Sequence, residues 1–223
     1  MKTFFKKNNN KFIKSTSGFT LIELLVTIVI FVVLTGVVLF KQTSFDSTIL
    51  LSNFAYDTAI TIRQAQSYGL NTRESTVSGN FSPYGVYFNL EKSNKSFVFF
   101  ADTGGVINED GTRSSNSEAD KIFNGNFETC PVGDLECVQK YTMKRGNFIK
   151  SICVGNNKEE CDSNDSMEVT ILFKYPEPDA LIYAEGNDRP DVGYNYAEIL
   201  LSSSDGVTRK VVITGVGQIY VEK

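Results

Sequence analysis

Hydrophobic residues fall into several patterns along the chain, and the first predicts a membrane-spanning helix. From Phe19 to Phe40 nearly every residue is apolar, and Glu23 is the single charged residue. As a helix this stretch would be about 33 Å long, enough to cross a bilayer core of about 30 Å. A lone acid in such a stretch is costly in lipid, so Glu23 calls for an explanation.

The second pattern, over residues 41–69, is an amphipathic continuation of the same helix. No proline interrupts it, and Gly69 with Asn71 behind it is the predicted stop signal. Gly36, in the first half, marks either a point where the helix bends or a site of close helix packing. The predicted buried face consists of residues at helical spacing, namely Leu51, Phe54, Ala55, Thr58, Ala59, Ile62 and Ala65.

Beyond residue 69 the pattern changes to alternation, which predicts strands. Apolar residues alternate in "YGVYFNLE", "SFVFFAD" and "EVTILFKY", and "AEILLSS", "RKVVIT" and "GQIYVEK" end the chain. "SSDG" and "TGVG" between the last three predict hairpin turns. We therefore predict an α+β fold in which a mostly antiparallel β head, residues 70–223, packs against the long helix. The polar segment from about 108 to 168 is predicted to be a loop-rich insertion.

Composition and charge weigh against three classes of function, namely catalysis, metal binding and nucleic-acid binding. The chain has no histidine, the commonest general base and metal ligand, and contains no G-x-S-x-G or phosphate-loop motif. We predict that it is not an enzyme and that it holds no metal or other cofactor. The first eighteen residues contain five lysines and no acid, so removing them lowers the net charge from −4 to −9. Such a charge weighs against binding to nucleic acid.

The stretch "GFTLIELL", residues 18–25, follows that basic segment and resembles the processing site of type IV prepilins and pseudopilins. The resemblance implies that residues 1–18 are a leader, that a prepilin peptidase cuts after Gly18, and that the same enzyme methylates the new amine of Phe19. A secretory signal peptide is excluded because its apolar stretch has only about 7–15 residues. A plain membrane anchor would explain the length but not Glu23.

Glu23 matches the family's glutamate, and the resemblance implies a role for it in assembly. The amine of an incoming subunit's Phe19 would dock on the Glu23 of a neighbour and set the register. Alternatively Glu23 neutralises the amine of its own chain, and the two roles can coexist. The implied partners are other pilin or pseudopilin subunits, the inner-membrane assembly platform and the cytoplasmic membrane. The N-terminus would be cytoplasmic and the head outside, first in the membrane and later in a filament.

A second resemblance concerns the head. "YGVYFNLEKSNKSFVFFADTGG" and "AEILLSSSDGVTRKVVITGVGQIYVEK" are similar to the GspH/FimT type of pseudopilin or minor pilin. The implied function is that of a structural subunit of a type IV pilus or of a related type II secretion or DNA-uptake filament. The alternative is a DNA-binding or adhesive tip subunit of an uptake pilus. Its candidate cations are Arg63, Arg73, Arg209, Lys210 and Lys223.

The four cysteines predict disulfides. Their spacing fits neither zinc ligands nor a C-x-x-C redox motif, and an even number outside the cytoplasm favours pairing. Three connectivities are possible. We predict the local pairs Cys130–Cys137 and Cys153–Cys161, because each pair brackets a turn-rich stretch. Reduced thiols are the alternative.

Overall fold

In the computed structural model, the chain forms two compact units, Met1–Thr43 and Ser44–Lys223. We call the second one the globular unit. Helix α1 spans Leu21–Leu70, and its predicted continuity through residue 40 is confirmed. The structure describes residues 18–71, 82–104, 119–131, 136–161, 166–184 and 193–223, without the side chains of residues 40–47.

The described part of the globular unit contains two antiparallel sheets and a short helix, α2, at Lys158–Cys161. The first sheet has the order β3-β2-β1-β5-β6, and the second has the order β4-β7-β8-β9. The α+β fold class is therefore confirmed. The strands are β1 Tyr84–Asn89, β2 Ser96–Ala101, β3 Cys137–Thr142, β4 Phe148–Gly155, β5 Glu168–Phe173, β6 Leu181–Ala184, β7 Tyr196–Ser202, β8 Thr208–Thr214 and β9 Ile219–Glu222.

The main core lies between α1 and both sheets. The helix contributes the face that its spacing predicts, and Leu51, Ala55 and Ile62 are fully buried there. Every second residue of the central strands joins it, as Val86 and Phe88 do from β1. The helix also binds the sheets through polar groups, since Arg63 donates to the carbonyl oxygen of Ile219 at 2.7 Å. Burial of apolar surface at roughly 25 cal/mol per Å² makes this core the main source of stability.

The first sheet is also covered on its opposite face, by residues 119–131, which we call the strap. Phe123 and Phe127 of the strap pack against Tyr87, with ring centroids 5.0 and 5.7 Å away. The buried carboxylate of Asp102 accepts hydrogen bonds from the backbone of Lys121 at 2.9 Å and of Asp120 at 3.2 Å. Burial, assisted by the charge of Asp120, raises the pKa of Asp102 despite these amides.

Three local predictions differ from the structure. Strands β1 and β2 are buried on both faces, because the strap covers the side that simple alternation assigns to solvent. The segment predicted to be loop-rich contains β3 and β4, each at the edge of one sheet. Its polar composition suits β3, whose burial is mostly partial or absent because it has a neighbour on one side only. Residues 105–118, the most polar part of that segment, lie outside the described residues.

The third difference concerns Gly69, which does not stop the helix. The helix continues to Leu70, and the side chain of Asn71 then donates to the carbonyl oxygen of Ser67 at 2.7 Å. A Cβ atom on Gly69 would overlap the carbonyl oxygen of Phe173. This glycine therefore permits close contact between α1 and β5. The predicted hairpin turns are confirmed, with positive φ angles at Gly206 and Gly217.

Candidate processing and assembly site

The candidate site begins at the N-terminus of α1, where Thr20 caps the helix. Its hydroxyl accepts a hydrogen bond from the backbone N–H of Glu23 at 3.3 Å, and its carbonyl accepts from Leu24 at 3.1 Å. Thr20 and Glu23 have the T-x-x-E spacing of a capping box. The acid also lies in the first turn, where it interacts favourably with the helix dipole. Sequence reasoning missed Thr20, although this spacing is a readable signal.

Gly18 and Phe19 precede the cap and are exposed. A Cβ atom built on Gly18 meets no other atom within 4 Å, and Gly18 is not among the glycines with positive φ. The fold of the described chain therefore does not require glycine at this position. Phe19 is 74% exposed, so packing within the described chain does not define its ring either.

The apolar part of α1 follows directly. Leu21–Leu39 is the one described helical segment that is long and apolar enough to cross a membrane, and none of it is buried. Its large apolar side chains are 48–81% exposed. The hydroxyls of Thr27 and Thr35 donate to backbone carbonyls one turn back, at 2.8 and 2.7 Å. These bonds satisfy the two polar side chains without water, which suits a lipid environment.

Glu23 and Gly36 are the two residues of this segment that its own chain does not explain fully. The Glu23 carboxylate forms no ion pair within the described ranges, and its side chain is exposed. A Cβ atom built on Gly36 meets no atom within 4 Å, so packing within the described chain does not require glycine there. An acid and a glycine on an uncovered apolar helix both fit contacts with another helix.

The remaining predicted site residues lie in the globular unit. The structure joins Cys130 to Cys137 and Cys153 to Cys161, with Cα–Cα distances of 5.5 and 5.1 Å. The first bond ties the end of the strap to β3, and the second ties α2 to β4. Both are therefore placed to fasten a short covering segment to the edge strand of a sheet.

Three of the five cations proposed for DNA binding interact with groups of their own chain, and a fourth, Lys223, is exposed directly after β9. Arg63 donates to Ile219, as described above, and Arg209 donates to the carbonyl oxygen of Thr208 at 2.8 Å. Lys210 forms an ion pair with the buried Glu198 at 2.5 Å. Arg73 lies outside the described residues.

An apolar N-terminal helix followed by antiparallel sheets is an arrangement consistent with a pilin-like fold. The family model of the prokaryotic N-terminal methylation motif matches residues 13–39, which include Gly18, Phe19 and Glu23. Helix and motif together support a type IV pilin-like protein that is processed by a prepilin peptidase and anchored by its single N-terminal helix. The motif is that of a structural subunit and not of an enzyme family. No curated protein and no solved structure matches the chain significantly.

Proposed function

We propose that this protein is a minor subunit of a type IV pilus, or of a related type II secretion or DNA-uptake filament. The observation that carries the proposal is the motif from Gly18 to Glu23 at the start of an apolar helix that no described part of its own chain covers. Such a helix needs lipid before assembly and other helices after it. A β-rich globular unit behind it is the part that would define the position or contacts of the subunit.

The proposed chemistry at the site is electrostatic. Cleavage after Gly18 creates a positively charged amine on Phe19, four residues before Glu23, which is about 6 Å along a helix. In a low-dielectric setting an acid without a partner is costly, and an amine nearby removes much of that cost. The amine of an incoming subunit would supply this partner, and the pairing would set the register between neighbouring helices. The cap by Thr20 supports this role, because it holds the first turn of the helix in place.

The proposal includes the assignment of this subunit to the GspH/FimT type. It is supported by the "FAD" stretch, because Asp102 is buried and holds the strap through backbone amides. It is also supported by the closing β7–β8–β9 meander, which corresponds to the last part of that resemblance. A globular unit with two disulfide-fastened segments favours a minor over a major subunit, since low-abundance subunits often have larger heads.

A tip subunit that binds DNA remains the second candidate, but the placement of its candidate cations does not favour it. Three of them bind groups of their own chain, and the net charge after removal of the leader is −9. DNA affinity depends on neutralising several phosphates together. A gel-shift titration over a range of salt concentrations would separate this candidate from a purely structural subunit.

The decisive test of the assembly role is Glu23→Ala. Membrane insertion should be kept, because removing a charge makes the apolar helix more favourable in lipid. The globular unit should stay folded, since it begins at Ser44. The amount of subunit in sheared filaments should fall strongly at equal membrane levels, and Glu23→Asp should be intermediate because its reach is one methylene shorter. Quantitative immunoblotting of sheared and membrane fractions measures both amounts.

Glu91→Ala is the matched control, because it also removes one exposed carboxylate but lies in the turn after β1. It should be incorporated like the unaltered protein. Normal incorporation of Glu23→Ala would exclude Glu23 from docking and would favour a position at the filament tip, where no incoming amine follows.

A further inference from the structure

One end of the globular unit is formed by three adjoining connections: β1–β2, β3–β4 and β7–β8. The backbone N–H of Met143 donates to the carbonyl oxygen of Lys95, and that of Ile149 donates to Asn94, both at 2.7 Å. A Cβ atom on Gly146 would lie 3.3 Å from the side chain of Ser204. Residues far apart in sequence therefore share one surface here.

This surface is rich in positive charge, and one of its cations, Lys92, has its Nζ 6.0 Å from the ring centroid of Phe127. We call this surface the basic end and define it by five exposed cations on these connections and at the start of strand β4, namely Lys92, Lys95, Lys144, Arg145 and Lys150. Within the described part of the chain none of the five forms an ion pair. The exposed acids of the same three connections are Glu91 and Asp205. The basic end is thus positive on a protein whose mature chain carries −9.

Arg145 is displayed at the tip of a strained turn. Its φ is 57°, that of Gly146 is 78°, and the N–H of Asn147 donates to the carbonyl oxygen of Lys144 at 3.4 Å. Positive φ at both central residues is the type I′ pattern, for which asparagine followed by glycine is preferred. A long cationic side chain at the first central position is uncommon there. Asparagine would be more stable than arginine at this position. The presence of Arg145 therefore indicates a functional role for its positive charge.

The basic end lies on the side of the globular unit where the first core residues of α1 are found. The ring of Phe54 is 6.1 Å from that of Phe97, the second residue of β2 and two residues after Lys95. At the other end of the helix, Tyr68 packs against Tyr84 at 5.4 Å, at the start of β1. Exposed acids are common towards that other end, including Asp120, Glu159, Glu160, Glu177 and Asp179.

We propose that the basic end binds the anionic phospholipid headgroups of the membrane in which the helix is anchored, before the subunit enters a filament. The inference rests on the membrane anchoring in the proposed function. Only residues 40–50 separate the apolar segment from Leu51 of the core, so the length of this connection limits how far the globular unit can lie from the bilayer. Near an anionic surface each Lys or Arg strengthens binding by about fivefold.

A membrane surface fits the charge distribution better than DNA does. Interactions between exposed charges fade over roughly 10 Å at physiological salt, so a flat anionic surface facing the basic end meets mainly its cations. A long polyanion would extend beyond this end and meet the acidic remainder of the globular unit. The basic end therefore matches a partner that touches it from one side only.

The test is hydrogen–deuterium exchange of the full chain in vesicles of phosphatidylcholine alone and with added phosphatidylglycerol. In the mixed vesicles, peptides covering residues 90–95 and 143–147 should exchange several-fold more slowly, and high salt should abolish the difference. Arg145→Glu should reduce the protection by about fivefold or more, since it removes one cation and adds an anion. Lys174→Glu is the matched control, because it makes the same charge change on the exposed β5–β6 connection and should keep the protection.

Equal exchange in the two lipids would overturn the proposal, and so would lipid protection that survives Arg145→Glu. Protection by inorganic phosphate or a short DNA duplex without anionic lipid, at the same salt concentration, would also overturn it in favour of a soluble anion. Cleavage after Gly18 and incorporation into filaments should be unchanged in Arg145→Glu. Failure of the lipid result is therefore distinguishable from failure of the proposed function, which would show as missing cleavage or incorporation in the unaltered protein.

Discussion

The two halves of α1 have the same backbone conformation and opposite surroundings. Along Leu21–Leu39 the apolar side chains are exposed on every side of the helix. From Leu51 onward one face is buried in the core, with only Phe54 of the predicted set partly exposed, whereas Tyr56 and Ile60 on the opposite face are each 58% exposed. The globular unit explains the sequence of the second half. The described chain does not explain the first half, and the methylation motif supports an explanation outside the chain, in processing by a prepilin peptidase, anchoring in a membrane and assembly with other pilins.

The prediction with the largest expected effect concerns the proposed cleavage just before the first half of α1. Gly18→Val should abolish cleavage, because a prepilin peptidase needs an extended backbone without a side chain at this position. It should not alter the stability of the globular unit, since a Cβ on Gly18 meets no atom of the described chain. Mass spectrometry of the mature N-terminus should show a methylated Phe19 in the unaltered protein and a retained leader in the variant.

Gly18→Ala serves as the graded control, and it should be cleaved partly or poorly. Recovery of an intact Met1 from the unaltered protein in cells with an active prepilin peptidase would contradict the processing role of this site. A lower melting temperature in Gly18→Val would contradict the view that the requirement for glycine is external.

The second prediction concerns the half of α1 that its own chain explains. Ile62→Ala should lower the free energy of unfolding by about 2–5 kcal/mol, because Ile62 is fully buried in the main core. Ile60→Ala, two residues away on the exposed side, should change it by no more than about 0.5 kcal/mol. Urea denaturation followed by circular dichroism measures both values. Equal effects of the two variants would show that the buried face is assigned wrongly.

The sequence predicted features that depend on neighbouring residues. The processing motif is contiguous, the buried face of α1 follows helical spacing, and the two closing hairpins have turn sequences with glycine. Each can be read within about fifteen residues because a single local rule governs it. The need for glycine at position 69 could not be predicted in this way. A Cβ atom there would overlap the carbonyl oxygen of Phe173, which lies more than a hundred residues later in the chain.

The features that sequence reasoning missed are assembled from distant segments. Strands β3 and β4 are edge strands, and their polar or interrupted patterns resemble those of loops. The buried second face of β1 depends on the strap, which the β1 pattern itself does not indicate. The basic end combines Lys95 with Arg145, which become neighbours only through the pairing of β2 with β3. Charged residues that are far apart in the sequence are thus brought close together only by the fold.

The third prediction tests the disulfide bond that joins the strap to β3. Replacing Cys130 and Cys137 by serine should lower the free energy of unfolding by about 2–3 kcal/mol, from the lost constraint on the unfolded chain. Hydrogen exchange should increase in the strap, since the end of the strap is then no longer joined to β3. Peptide mapping without reductant checks the pairing in the exported protein, where a fragment joining Cys130 to Cys161 would contradict it. Unchanged protection of the strap would show that the bond is not needed to hold it.

The smallest expected effect compares two glycines of the same helix. Gly69→Ala should lower the free energy of unfolding by about 1–3 kcal/mol, because its Cβ would overlap the carbonyl oxygen of Phe173 and force α1 and β5 apart. Gly36→Ala should leave the unfolding of the globular unit unchanged, since its Cβ meets no atom of the described chain. It should instead favour the helix by up to about 1 kcal/mol and reduce incorporation into filaments if another helix packs closely against Gly36. Thermal denaturation with parallel counting of subunits in sheared filaments separates the two outcomes. If Gly36→Ala destabilised the globular unit, or if Gly69→Ala left its stability unchanged, the division of α1 into a half explained by partners and a half explained by its own chain would be wrong.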